Sequence, residues 1–117
     1  MAQKQAVESD KLIIIFFTGK WCSPCRIMKR EVWADEQVMA TVNEAFIPMM
    51  INVDDSNALA TLNRYSVSVT PTTIITDSKG NVLQYKQGRI SKADFFELLE
   101  KLDPSVFSCI HHYYHHK

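Results

Sequence analysis

Apolar positions along this chain fall into runs whose spacing changes from one segment to the next. Residues 11 to 17 are apolar on both faces and rich in β-branched and aromatic side chains, which predicts a buried strand ended by Thr18 and Gly19. From Cys22 the spacing turns helical through Ile27, Met28 and Glu31 to Trp33, with Pro24 in the first turn, where a missing N–H is harmless. Asp35 is placed to cap a second helix, "EQVMATVNEAF", with Val38, Val42, Ala45 and Phe46 on one face. "IPMMINV" reads as a second strand closed by Asp54 and Asp55. Ser56 then caps a short helix through Tyr65, with Leu59 and Leu62 facing inward.

"PTTIIT" predicts a third strand. The turn "DSKGN", with Gly80 in a left-handed position, returns the chain as a hairpin partner over Val82 to Gln87. "SKADFFELLEKL" is an amphipathic last helix, capped by Ser91, striped by Phe95, Leu98, Leu99 and Leu102, and stopped by Pro104. Strand, helix, strand, helix, strand, strand, helix is the order of an α/β fold. It implies a mixed sheet of about four strands with helices on both faces. Residues 1–10 are expected to be a helical or loose lead-in, residues 11–104 the domain, and residues 105–117 a disordered tail carrying all four histidines.

Composition narrows the classes. At 117 residues, 46% hydrophobic and 22% charged, the chain is long enough for one domain with its own core. Thirteen basic residues balance thirteen acidic ones, so no overall field favours nucleic acid or an anionic membrane. The longest apolar stretch, Leu12 to Phe17, is too short to span a bilayer. The lead-in is unlike a secretion signal. A cytoplasmic location is expected if the chain is complete, and an exported one if a signal has been removed.

Two of the three cysteines, Cys22 and Cys25, stand three apart in "KWCSPC" directly after the first strand. As a structural staple they close a loop of about four residues, which removes only ~2 kcal/mol of unfolded-state entropy against ~3 for a loop of fifteen. As zinc ligands they lack a second pair inside the domain, since structural zinc takes four ligands. The tail residues Cys109, His111, His112, His115 and His116 offer at most a loose chelator, and Cys109 has no evident partner. No metal and no cofactor are expected.

The third reading, an exchanging dithiol, fits the placement best. Cys22 would begin a helix, where unpaired N–H groups and the positive end of the dipole favour an anion. Moving a thiol from ~8.5 to ~7 needs about 2 kcal/mol of preference for the thiolate, roughly what a partly buried helix terminus supplies. Lys20 and Arg26 would add to it if they turned toward the sulfur; as solvated surface charges they would not. Cys25, one turn further in, would be more buried and keep its proton longer.

"WCSPC" after a buried strand resembles the thioredoxin superfamily. "VTPT", residues 69 to 72, is similar to that family's cis-proline loop, "INVDD" to the end of its central strand, and "GRISKADFFELLEKL" to its glycine and closing helix. The likeness runs over about residues 11 to 102. "REVWADEQVMATVNEAFIPMMINVDD" is most similar to bacterial thioredoxin-related proteins grouped with disulfide isomerases and cytochrome-maturation factors, which are often exported.

The resemblance implies a thioredoxin fold and a thiol–disulfide oxidoreductase, reductase or isomerase, with Cys22 as nucleophile and Cys25 as resolving thiol. It implies that Ser23 and Pro24 tune the redox potential and that Trp21, Thr70 and the cis residue Pro71 receive the substrate. Trp21 as a core side chain and Pro71 as an ordinary trans proline are the alternatives. The implied partners are protein disulfides and a redox partner protein, met by a monomer with no membrane span and no nucleic acid. A peptide-binding module using the same groove, and an exported isomerase or cytochrome-maturation reductant, are the competing functions.

The chain also departs from that family. Phe16 stands where thioredoxins usually carry a buried aspartate, and Met50 where a lysine typically partners it. With no histidine in the domain, no base is evident near Cys25 unless Glu31 or Asp54 approaches it. Supplying one by Phe16→Asp is expected to speed turnover at neutral pH.

Overall fold

A computed structural model describes residues 11–104 and Val106. The expected lead-in over residues 1–10 and the expected tail, including Cys109 and the histidines, lie outside the described residues. The chain runs β1 (Leu12–Thr18), α1 (Ser23–Met28) continued by a π-helical stretch (Lys29–Trp33), and α2 (Glu36–Ala45). Then come β2 (Phe46–Asn52), a 3-10 turn (Ser56–Ala58) leading into α3 (Leu59–Tyr65), β3 (Thr72–Thr76), β4 (Val82–Gln87) and α4 (Lys92–Leu102).

The sheet order is β2-β1-β3-β4, with β1 parallel to β2 and antiparallel to β3, and β3 antiparallel to β4. A parallel pair needs a crossover, which α1 and α2 provide. The interior strands are the most buried ones, because β1 and β3 are covered on both faces. Ile14, Phe16 and Ile75 point into one layer with Cys25 and Met28 of α1, Val38 and Val42 of α2, and Phe95 and Leu99 of α4. Ile13, Ile15, Phe17 and Ile74 point the other way, against Leu62 and Tyr65 of α3. Gly80 lies at φ 91°, the left-handed position that closes the β3–β4 hairpin.

Four details differ from the sequence expectation. Phe46 continues the apolar stripe of α2 but opens β2 opposite Leu12, so the helix ends at Ala45. Leu59 is 64% exposed, and Ala58 takes the inward place instead. The cap before it belongs to Asp55, whose carboxylate accepts from the Asn57 N–H at 3.0 Å, and not to Ser56. Finally, the helix from Cys22 widens after Met28, with the Ala34 N–H donating to the Lys29 carbonyl at 2.8 Å. Through that wider turn Trp33 reaches the core, its ring 5.5 Å from that of Phe16 and 5.3 Å from that of Phe95.

Asp35 caps α2 as expected and does more. One carboxylate oxygen accepts from the Val38 N–H at 3.0 Å and the other from the Lys92 ammonium at 2.8 Å, tying the starts of α2 and α4 together. Partial burial pushes the Asp35 carboxyl up. The Lys92 hydrogen bond and charge, with the N–H groups of Val38 and Gln37, outweigh this and hold it below its ordinary 3.8. A lowered folded value stabilises the fold above the ordinary value, and that contribution is lost as pH falls through the lowered one. Asp35→Ala is therefore expected to cost about 1–2 kcal/mol in urea unfolding at neutral pH. The gap should close toward pH 2. An equal gap at both pH values would mean that the charged carboxylate is not what stabilises.

Candidate functional site

The site forms where β1 ends. The Val53 N–H, just past β2, donates to the Thr18 carbonyl at 2.8 Å, holding the end of β1 beside the loop after β2. Gly19 then turns the chain out of the sheet under the loop before β3. A Cβ on Gly19 would lie 3.3 Å from Thr70 Oγ1, so the Thr70 side chain would have to give by a few tenths of an ångström, and 3.7 Å from Cys22 Cβ, an ordinary contact.

Cys22 is the N-cap of α1, in extended backbone at φ −102° and ψ 101°. Its Sγ accepts from the Cys25 N–H at 3.2 Å, and its carbonyl accepts from the Arg26 N–H at 3.2 Å. The sulfur thus occupies the place a Ser or Asp oxygen takes at other helix starts, facing N–H groups that lack intrahelical partners. Pro24 sits in the first turn, where it withdraws no needed donor. Cys22 and Cys25 are joined by a disulfide, with S–S 2.11 Å, χ3 77° and Cα atoms 5.2 Å apart. Cys22 is 9% exposed and Cys25 is fully buried, so the two sulfurs differ in access.

Outside the pair lies a groove of about 480 Å³ whose walls include Trp21, Cys22, Ser23, Pro24, Asp54 and Thr70. Trp21 is 85% exposed, so it is not a core side chain. Val69, 44% exposed, is a second apolar side chain beside the Thr70 wall. The Thr70–Pro71 peptide bond is cis. Pro71 itself is buried behind Thr70, with its carbonyl accepting from the Gly88 N–H at 2.7 Å. The N–H and C=O of Thr70 take no partner among the described residues.

Charges around the pair are arranged differently from one expectation. Lys20 holds its ammonium 5.3 Å from the centre of the Trp21 ring, and the Arg26 guanidinium donates to Ser23 Oγ at 3.0 Å. Neither is turned to the sulfur as its principal contact, which leaves backbone N–H groups as the source of any preference for an anion at Cys22. Behind Cys25 the position of interest is filled by Phe16, fully buried, with Met50 its neighbour across the strand pair and 54% exposed. Glu31 is drawn off to Arg89 at 2.6 Å. Asp54 lines the groove on the Cys22 side and accepts from the Lys20 N–H at 2.5 Å. No local pattern of residues signals that contact, which joins positions 34 apart. Among the described residues no group of His, Cys, Asp or Glu converges as a metal site. No helix among them is long and apolar enough to cross a membrane.

A model of the thioredoxin-like domain family matches residues 1–103. The chain is 36% identical to thioredoxin H5 from Arabidopsis thaliana over 99 residues, covering 85% of this chain and 75% of that one. It is 25% identical over 96 residues to the thiol:disulfide interchange protein DsbD of Ralstonia nicotianae, covering 81% of this chain but only 16% of that much longer protein. Among solved structures, a thioredoxin from Thermus thermophilus superposes with a TM-score of 0.77 at 22% identity, covering 86% of this chain and 80% of that one.

Proposed function

The chain belongs to the thioredoxin-like domain family, and from that premise we propose that it exchanges disulfides with protein substrates through Cys22 and Cys25. The observation that carries this reading is the placement of Cys22 Sγ on the Cys25 N–H at a helix start, with Cys25 wholly buried behind it. An anion at Cys22 is favoured there, and only Cys22 can be reached from outside.

In the reduced protein the Cys22 thiolate attacks one sulfur of a substrate disulfide. A new S–S bond forms, and the other substrate sulfur leaves as a thiolate and takes up a proton. Cys25 then loses its proton and attacks Cys22. The mixed disulfide breaks, the second substrate sulfur leaves, and the Cys22–Cys25 bond closes. Two electrons have passed to the substrate. A partner dithiol restores the pair by the reverse sequence.

Trp21 and Val69 supply exposed apolar surface for the substrate chain, and the free backbone groups of Thr70 suit an extended peptide added as a short strand. Ser23 and Pro24 set the first turn between the sulfurs. The family resemblance supports these roles, and the relative named as a thiol:disulfide interchange protein supports the chemistry.

Reduction of insulin disulfides by the wild type, lost in Cys22→Ser, tests the proposal. The exposure of Trp21 also suits a peptide-binding module with an idle dithiol; that reading requires equal behaviour of the two proteins. Equilibration with glutathione separates the finer roles, since a thioredoxin-type reductant lies near about −270 mV and an isomerase near about −180 mV.

A further inference from the structure

Among the described residues Asp54 is the one carboxylate lining the groove that Cys22 also lines, and its oxygen accepts from the Lys20 N–H at 2.5 Å. Its neighbour Asp55 is turned away, onto the Asn57 N–H at 3.0 Å. The two nearby cations are engaged on neutral groups, Lys20 over the Trp21 ring and Arg26 on Ser23 Oγ, so neither forms an ion pair with Asp54. The groove therefore sets a negative charge against the helix-start N–H groups that favour a thiolate.

We propose that Asp54 is a tuning residue, whose charge disfavours the Cys22 thiolate across the shared groove and so biases the pair toward giving up electrons. Rendering the reduced form less favourable makes a dithiol a better reductant; stabilising that form makes a strong oxidant. This deepens the exchange function proposed above and rests on it; the bias it adds is toward reduction of substrate disulfides. Asp54 acts on Cys22 through its charge and touches no reacting atom. A second role is positional, because the carboxylate holds the Lys20 N–H and with it the loop that carries Trp21.

The charge and the position are separable. Asp54→Asn keeps an oxygen acceptor for the Lys20 N–H and removes the charge, whereas Asp54→Glu keeps the charge. At pH 7 and about 10 mM salt, reduced Asp54→Asn is expected to react with neutral iodoacetamide about threefold faster than the wild type. At about 1 M salt, where the screening length falls to about 3 Å, that gap should shrink toward one. In equilibrium with glutathione, two glutathione thiols give two electrons and two protons to the Cys22–Cys25 bond, which opens as glutathione disulfide forms. The variant should favour its dithiol about threefold more, equivalent to about 14 mV for a two-electron couple. Asp54→Glu should behave as the wild type.

An Asp54→Asn protein that matches the wild type at low salt, one whose difference is unmoved by salt, or an Asp54→Glu protein that behaves like it would each overturn the proposal. These readouts need no protein substrate. They fail separately from the exchange function, which stands or falls on insulin reduction by the wild type and Cys22→Ser.

Discussion

Cys25→Ser is expected to leave the protein covalently held on its substrate. Cys22 remains reachable at the mouth of the groove and still attacks, but the buried group that should release the mixed disulfide is now a hydroxyl. A hydroxyl at position 25 is close to isosteric, so the fold and the first step survive. Turnover of insulin should fall by about 100-fold or more, in line with removing one member of a nucleophile pair acting as a unit. A disulfide-linked adduct should accumulate on a non-reducing gel and disappear on adding thiol. Cys22→Ser should lose turnover to the same extent and give no adduct, because Cys25 is fully buried. Adducts in equal amount from both variants would remove the distinction in access on which the assignment of roles rests.

The second large effect is on stability, at Phe16. Its side chain is fully buried in the layer that holds Cys25 and Met28, with its ring 5.5 Å from that of Trp33, which in turn meets Phe95. Phe16→Ala should lower unfolding stability by about 3–5 kcal/mol through lost burial and the cavity left behind. Native domains commonly have only about 5–15 kcal/mol in total. Phe16→Asp adds the desolvation of a carboxylate among apolar neighbours, and its urea midpoint should fall further still.

From the sequence alone, an aspartate at this position is expected to speed turnover by supplying a base. The packing adds a condition: such a base comes at the loss of an aromatic layer, so turnover has to be compared where the variant is still folded. A loss below about 1 kcal/mol for Phe16→Ala would contradict the packing argument.

Much of the fold is legible in the chain because local signals and burial agree. β1 is apolar on both faces since it lies between two strands and under two helical layers, and its composition says so without any partner being known. The caps at Asp35 and Ser91 are local, each accepting from an N–H three residues on. The misread boundaries arise where long-range pairing decides. Phe46 satisfies the helical stripe after Val42 as well as the strand pattern, and its pairing opposite Leu12 settles the choice. The turn from Asp55 starts as a 3-10 helix, which shifts the phase of the next helical turn and sends Leu59 outward.

At the site, the two sulfurs and their unequal burial follow from three-residue spacing at a helix start. The Gly19–Thr70 approach and the Asp54–Lys20 contact join segments far apart in sequence, so no window of residues announces them. The side chains of Lys20 and Arg26 could have turned either way on the sequence alone. Their actual partners, an indole face and a serine hydroxyl, are side chains in the same loop and first turn.

The most direct test is the rate at which the reduced protein is alkylated as pH is varied, with the modified residue identified by mass spectrometry. A sulfur poised on the first N–H groups of a helix predicts label on Cys22 alone, and reaction at pH 7 faster than that of glutathione under the same conditions. Labelling of Cys22 no faster than glutathione, or labelling of Cys25 first, would contradict it.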